Sequence, residues 1–202
     1  MEIYLIRHGN CHKYGLDNYD KEKFTANPKL TEEGYMQAKK LAESCKNIKF
    51  DRIYCSDLSR AVDTAKIFNN SVKSTVIEDE NFREINMGDI YLSTWDNYPE
   101  LFKEWSKFEK DIPYPNGENG EMVWKRCKES IDQIIENDFE RVAIITHGGV
   151  IRSIICGILN IAQEKRFFFG NPPENCSISI IKFNKKGDKF YLHTFNDFVH
   201  LH

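Results

Sequence analysis

The chain has 202 residues, 41% hydrophobic and 29% charged, and its 28 basic and 31 acidic side chains leave a net charge of −3. That length predicts a single domain over residues 1–202, with enough apolar material for a core that needs no disulfide or metal staple. The charge balance argues against a general nucleic-acid binder, no apolar run approaches the roughly 18 residues of a membrane span, and collagen-like, disordered and disulfide-scaffold classes are excluded.

In chain order, the opening MEIYLIRHGN reads as a first strand, Glu2–Arg7, and not as a secretory leader, which would need a charged segment before a long apolar one. Thr31–Cys45 opens on a capping threonine and places Ala38, Leu41, Ala42 and Cys45 on one helical face. Arg52–Cys55 is a short strand, after which Ser56 or Asp57 is placed to cap a helix carrying Leu58, Ala61, Val62 and Ala65. Ser74–Ile77 fits a third strand. Tyr98, Leu101, Phe102 and Trp105 fit an amphipathic helix inside a lid-like helical insertion around residues 85–120, which ends in the turn Ile112–Gly117. A second amphipathic pattern runs through Val123, Cys127, Ile131, Ile134 and Ile135. Arg141–Thr146 is almost wholly apolar, as a strand covered on both faces must be. Gly148–Leu159 continues as a helix, and Ser177–Asn184 with Lys189–Phe195 reads as a hairpin. The alternation predicts a three-layer α/β/α sandwich around a mostly parallel sheet, with at least one antiparallel strand at the end. The six cysteines are scattered without a C-x-x-C spacing, which fits reduced thiols and a cytoplasmic chain.

Two of these strands end alike, in Arg7-His8-Gly9 and in Thr146-His147-Gly148-Gly149. Ligands of open parallel sheets bind beyond the carboxyl ends of the strands, so both histidines belong on that edge. Arg60 falls in the first turn of the helix after the second strand, where the dipole also attracts an anion. Glu84 follows the third strand. Taken singly, each of these is an ordinary turn or surface residue. Together, two histidines, two arginines and a glutamate suit phosphoryl transfer. Forked arginine donors match phosphate oxygens, His147 can add a charge if protonated, and a neutral imidazole such as His8 can attack phosphorus. Glu84 is placed to protonate the leaving oxygen.

These residues lie in a series of motifs. Arg7-His8-Gly9 is followed by Leu30-Thr31-Glu32-Glu33-Gly34-Tyr35-Met36-Gln37-Ala38, which resembles an L-T-x-x-G-x-x-Q-A helix start. Then come Ser56-Asp57-Leu58-Ser59-Arg60-Ala61-Val62-Asp63-Thr64-Ala65, the acid loop Arg83–Asp89, Gly117-Glu118-Asn119, and His147–Arg152. In this order they resemble the histidine phosphatase superfamily, the phosphoglycerate mutase-like proteins, over nearly the whole chain. Asn196-Asp197 with His200-Leu201 is similar to the tail of the branch that contains α-ribazole phosphatases.

The resemblance implies that His8 is the phosphorylated nucleophile and Glu84 the general acid. Arg7, Arg60 and His147 would form the phosphate pocket, with Asn10 and Gly148 as further substrate contacts. The implied activity is metal-independent hydrolysis of a small organic phosphomonoester, α-ribazole phosphate among the candidates, with no cofactor and no nucleic-acid or membrane partner. A phosphoglycerate mutase and a non-catalytic phosphate-binding regulator are the alternatives. The chain departs from the family pattern at Asn10-Cys11, where Glu or Gln and then Thr or Ser are usual, at Tyr14, where mutases carry Asn, and at Ser93-Thr94. The stretch Tyr98–Phe108 has no arginine where mutases carry a pair, and no second anion site is evident, which favours a phosphatase. Met87, Tyr91, Trp95, Tyr98 and Trp105 are placed for a lid favouring organic monoesters over bisphosphates. Phe167-Phe168-Phe169 is expected to pack near the last strands. His8 and His12 stand four apart, but in a loop with no third ligand nearby, so no metal site is expected. No glycine-rich nucleotide loop is present.

Overall fold

The computed structural model describes residues 1–14, 16–23, 25–91 and 95–202. Ser93 and Thr94, named above for their departure from the family pattern, therefore lie outside the described residues.

Strand β1 (Glu2–Arg7) is followed by a two-residue pair, β2 (Tyr19–Asp20) and β3 (Thr25–Ala26), that local patterning does not announce. Then come α1 (Glu32–Ser44), β4 (Arg52–Cys55), α2 (Ser59–Val72) and β5 (Val76–Glu78). After single 3-10 turns and the short α3 (Pro99–Trp105) follow α4 (Gly120–Glu136), β6 (Arg141–Thr146), α5 (Gly148–Ile158), β7 (Ile178–Asn184) and β8 (Lys189–Asp197). The main sheet has the order β5-β4-β6-β1-β7-β8. The first four strands of that order are mutually parallel, and β7 and β8 add the antiparallel hairpin.

Alternation along the central strands builds the three layers. Ile3 and Leu5 of β1 and Val142 and Ile144 of β6 pack with Val123, Ile131, Val150 and Ile154 of α4 and α5. Tyr4, Ile6, Ala143 and Ile145 pack on the other face with Leu41, Ala61, Ala65 and Phe68 of α1 and α2. Strands β1 and β6 are buried on both faces, which explains their unbroken apolar runs. Register pairs Arg7 with Thr146, so His8 and His147 leave adjacent strands at the same height.

Helix α1 starts as expected, with the Thr31 hydroxyl accepting from Gly34 N at 3.1 Å. Helix α2 does not start on Ser56 or Asp57. Leu58 takes the capping position without a side-chain bond. The Ser56 hydroxyl meets His147, and Asp57 binds Lys23 at 2.5 Å and Arg83 at 2.6 Å. Tertiary partners outbid the local cap.

Candidate active site

Each predicted residue can be followed from its element to its neighbours. His8 is the first residue beyond β1 and is 1% exposed. Its Nδ1 lies 2.7 Å from the Gly9 carbonyl oxygen. A carbonyl only accepts, so Nδ1 carries the hydrogen and Nε2 keeps the lone pair. That lone pair accepts from Arg60 Nε at 3.2 Å. Burial, then the Arg60 and Arg7 charges, holds the His8 pKa well below the usual histidine range. The imidazole is therefore neutral, with its Nε2 lone pair turned toward the Arg60 guanidinium.

The loop that carries His8 sits in a cradle assembled from two other motifs. Gly9 N donates to Thr64 Oγ1 at 3.1 Å, and Asn10 N donates to Gln37 Oε1 at 2.8 Å. Thr31 donates to Asn10 Oδ1 at 2.7 Å. Gly9 and Gly34 meet backbone to backbone: a Cβ on Gly9 would lie 2.6 Å from Gly34 O, and one on Gly34 only 2.0 Å from Asn10 O. The L-T-x-x-G-x-x-Q segment thus supports the loop. Asn10, expected to touch substrate, is tied to the start of α1 by its side-chain oxygen.

His147 ends β6 fully buried, its ring centroid 5.0 Å from that of His8. Its Nε2 is 2.9 Å from Ser56 Oγ, and its Nδ1 has no partner. Sequence reasoning left room for a protonated His147. Burial first, and then Arg60, pushes its pKa well below the usual range, so it too is neutral in the ligand-free chain. Arg60, in the first turn of α2, is fully buried, with Nη1 on Ala26 O at 3.2 Å and Nη2 without a partner. Arg7 donates through Nη1 to Pro173 O at 2.5 Å, while its buried Nε has no partner.

Glu84 is held from two sides. Ile85 N donates to Oε1 at 2.9 Å, and Gly149 N donates to Oε2 at 3.3 Å. A Cβ on residue 149 would stand 2.6 Å from Oε1, so a side chain there would displace the carboxylate from this position. The acid loop is braced from behind by Glu118, which accepts from Asn86 N at 2.9 Å and pairs with Arg126 at 2.8 Å.

Over these residues opens a cleft of about 350 Å³, walled by Arg7, Tyr14, Glu84, Met87, Tyr91, Gly148 and Arg152 among others. His8, Arg60 and His147 are each no more than 1% exposed and do not themselves line it. Tyr14 reaches over Arg60, with the guanidinium 5.2 Å from its ring centre. Of the apolar and aromatic residues expected over the cleft, Met87 and Tyr91 border it. Trp95 and Trp105 instead stack with Phe102 and Tyr114, and Trp105 also meets Phe167. The phenylalanine run is divided, since Phe169 packs on Phe195 of β8 while Phe168 is exposed. Arg152, quoted above only as the end of a motif, is the charged residue in this wall that sequence reasoning left without a role. Its signal was an arginine one turn into an otherwise apolar helix.

His12 is exposed and its backbone N–H bonds Lys29 O, so it does not join His8. No group of three or more histidine, cysteine or acidic side chains suited to a metal occurs among the described residues.

The layers and strand order define the phosphoglycerate mutase-like class of α/β folds. A model of the histidine phosphatase superfamily (branch 1) matches residues 3–197, and the chain belongs to that superfamily. Phosphoglycerate mutase-like protein 4 from Arabidopsis thaliana is 30% identical over 212 aligned residues, covering 99% of this chain and 86% of the relative. A phosphoserine phosphatase from Entamoeba histolytica, solved with phosphoserine, superposes with a TM-score of 0.79 at 25% identity, covering 99% of this chain and 98% of the other. The α-ribazole phosphatase from Shigella flexneri has the same fold, with a TM-score of 0.80 at 23% identity and coverage of 98% and 97%.

Proposed function

We propose that the protein is a metal-independent phosphomonoesterase that works through a phosphohistidine at His8. One observation carries the reading. Around the neutral Nε2 of His8 stand three residues, Arg7, Arg60 and His147, each with a buried nitrogen that has no partner among the described residues. Buried donors are rarely left unmet, and a phosphoryl group would meet these.

In this reading the His8 lone pair attacks phosphorus in line and the ester P–O bond breaks. Glu84 gives its proton to the departing alkoxide. Arg7 and Arg60 hold equatorial oxygens and supply the positive charge. The Ser56 hydroxyl, donating to His147 Nε2, leaves the proton on Nδ1 as a further donor to the phosphoryl group. Water, deprotonated by Glu84, then cleaves the phosphohistidine and releases phosphate. Gly148, whose missing side chain leaves room beside Arg7 Nε, lets the group approach. Residues 85–120 would serve as a lid on the same domain, since Ile85, Met87, Ile90 and Tyr91 already line the cleft. Six free cysteines suit a reducing cytoplasmic setting.

The test is hydrolysis of p-nitrophenyl phosphate before and after prolonged EDTA treatment. Turnover that survives chelation supports the reading. Loss restored by a divalent ion, or isomerisation of 3-phosphoglycerate without release of phosphate, overturns it.

A further inference from the structure

The cleft holds one more cation than the phosphoryl chemistry uses. Arg152 rises from α5 into the cleft wall and is 8% exposed. Its Nη2 donates to the Gly170 carbonyl, and its Nε is buried without a partner. Among the described residues it forms no ion pair. Two neighbouring arginines outside the expected phosphate pocket are neutralised: Arg166 by Asp111 at 2.5 Å and Arg126 by Glu118 at 2.8 Å. A guanidinium taken out of water without a counter-ion is costly to fold around. Burial pushes its pKa below the usual arginine range, with Glu84 opposing the shift.

The wall arrangement orients this charge without cancelling it. Gly170 and Pro173 bracket a four-residue strap, and their carbonyls accept from Arg152 and Arg7 respectively. Pro172 of the same strap faces the cleft, beside the apolar Ile85, Met87 and Ile90. Both arginines are thus fixed by dipoles, and the Nε–H of each stays unused.

We propose that Arg152 is a substrate-specificity residue that binds a carboxylate carried on the alcohol half of the phosphomonoester. This rests on the phosphatase reading above and narrows it. Charge matching selects the carboxylate: Arg7 and Arg60 already balance a phosphate dianion, and Arg152 adds a single charge on a planar fork that suits a carboxylate. The aliphatic part of the substrate would lie against Ile85, Met87 and Ile90. Sequence alone led to the opposite expectation, of a largely apolar pocket with no second anion site.

The test compares phosphate release from pairs of esters that differ in the carboxylate: 3-phosphoglycerate with glycerol 3-phosphate, and O-phosphoserine with O-phosphoserinol. A third pair, propane-1,3-diyl bisphosphate with propyl phosphate, asks whether a second phosphate serves instead. A charge-assisted pair of hydrogen bonds predicts about a 10–100-fold preference in kcat/KM for the carboxylated esters, expressed mostly in KM. Arg152→Met should bring those ratios to within about threefold, and Arg152→Lys should leave them intermediate. Ratios near one in the wild type, with p-nitrophenyl phosphate still turned over, overturn the role of Arg152 and leave the phosphatase reading standing. A larger preference for the bisphosphate overturns the carboxylate. No phosphate release from any ester overturns both readings. If the methionine variant does not fold, the wild-type ratios and the lysine variant decide.

Discussion

The two ends of the central sheet treat charge in opposite ways. At the amino end, Glu2 pairs with Arg141 at 2.9 Å and Lys182 at 3.2 Å, and the Asp51 carboxylate accepts from the backbone N–H groups of Glu140 and Arg141 at 2.8 and 2.9 Å. At the carboxyl end the donors outnumber their acceptors. Of seven buried side-chain polar atoms without a partner among the described residues, four are nitrogens of Arg7, Arg60, His147 and Arg152. The first end is closed by its own residues. The second leaves these nitrogens unmatched, which is the feature that the phosphatase reading uses.

The largest test of this contrast is His8→Ala. If the carboxyl end works through a phosphohistidine there, kcat should fall by roughly three orders of magnitude or more, and rapid trapping with labelled substrate should find no acid-labile phosphoenzyme. His147→Ala should cost less, about 10²–10³-fold, as expected for the loss of one donor to the transition state. It should still leave trappable phosphohistidine. Label mapped to His147 in the wild type would mean that the two histidines exchange roles.

A smaller effect separates the ends by pH. His8 and His147 are both held neutral by burial, so near their ordinary value of 6.5 the unfolded chain binds protons that the folded chain does not. Stability should therefore fall as pH drops below about 6.5 and be level in this respect above it. The slope is about 1.4 kcal/mol per pH unit for each histidine. Urea unfolding between pH 5 and pH 7.5 would measure it, and His147→Asn should remove about half. A flat profile would mean that the imidazoles are charged in the fold. The smallest effect belongs to the amino end. Arg141→Met breaks a partly exposed pair and should lower stability by about 0.2–1 kcal/mol, with kcat unchanged within twofold. A large loss of activity there would erase the distinction between the two ends.

Much of this arrangement was legible in the sequence because it follows from periodicity and strand ends. Apolar runs at Glu2–Arg7 and Arg141–Thr146 announced buried parallel strands, and parallel strands bring His8 and His147 together by register. Less legible are residues whose side chains answer to distant partners. Ser56 and Asp57 have good capping chemistry, but His147, Lys23 and Arg83 claim them. Asn10 stands two residues after His8, and its side-chain oxygen and backbone N–H are held by Thr31, which caps α1, and by Gln37 within that helix. Trp95 and Trp105 stack away from the cleft because Phe102, Tyr114 and Phe167 offer more aromatic surface. Arg152 was readable only as a motif letter. That no carboxylate pairs with it among the described residues is a fact of three dimensions.

The contact between Gly9 and Gly34 bears on how accurately the His8 imidazole is aimed. Ordinary packing passes through side chains, which hop between rotamers and blur whatever they support. Here main chain rests on main chain, with no Cβ between. The Gly9 carbonyl that fixes the His8 tautomer belongs to one of the two touching peptides, so its position is set by bond lengths and planar amides. Aim is therefore inherited from covalent geometry. A methyl group added at residue 34 would press on Asn10 O, and through it on the peptide that orients the ring. The damage would appear first as a misdirected imidazole in a chain that still folds.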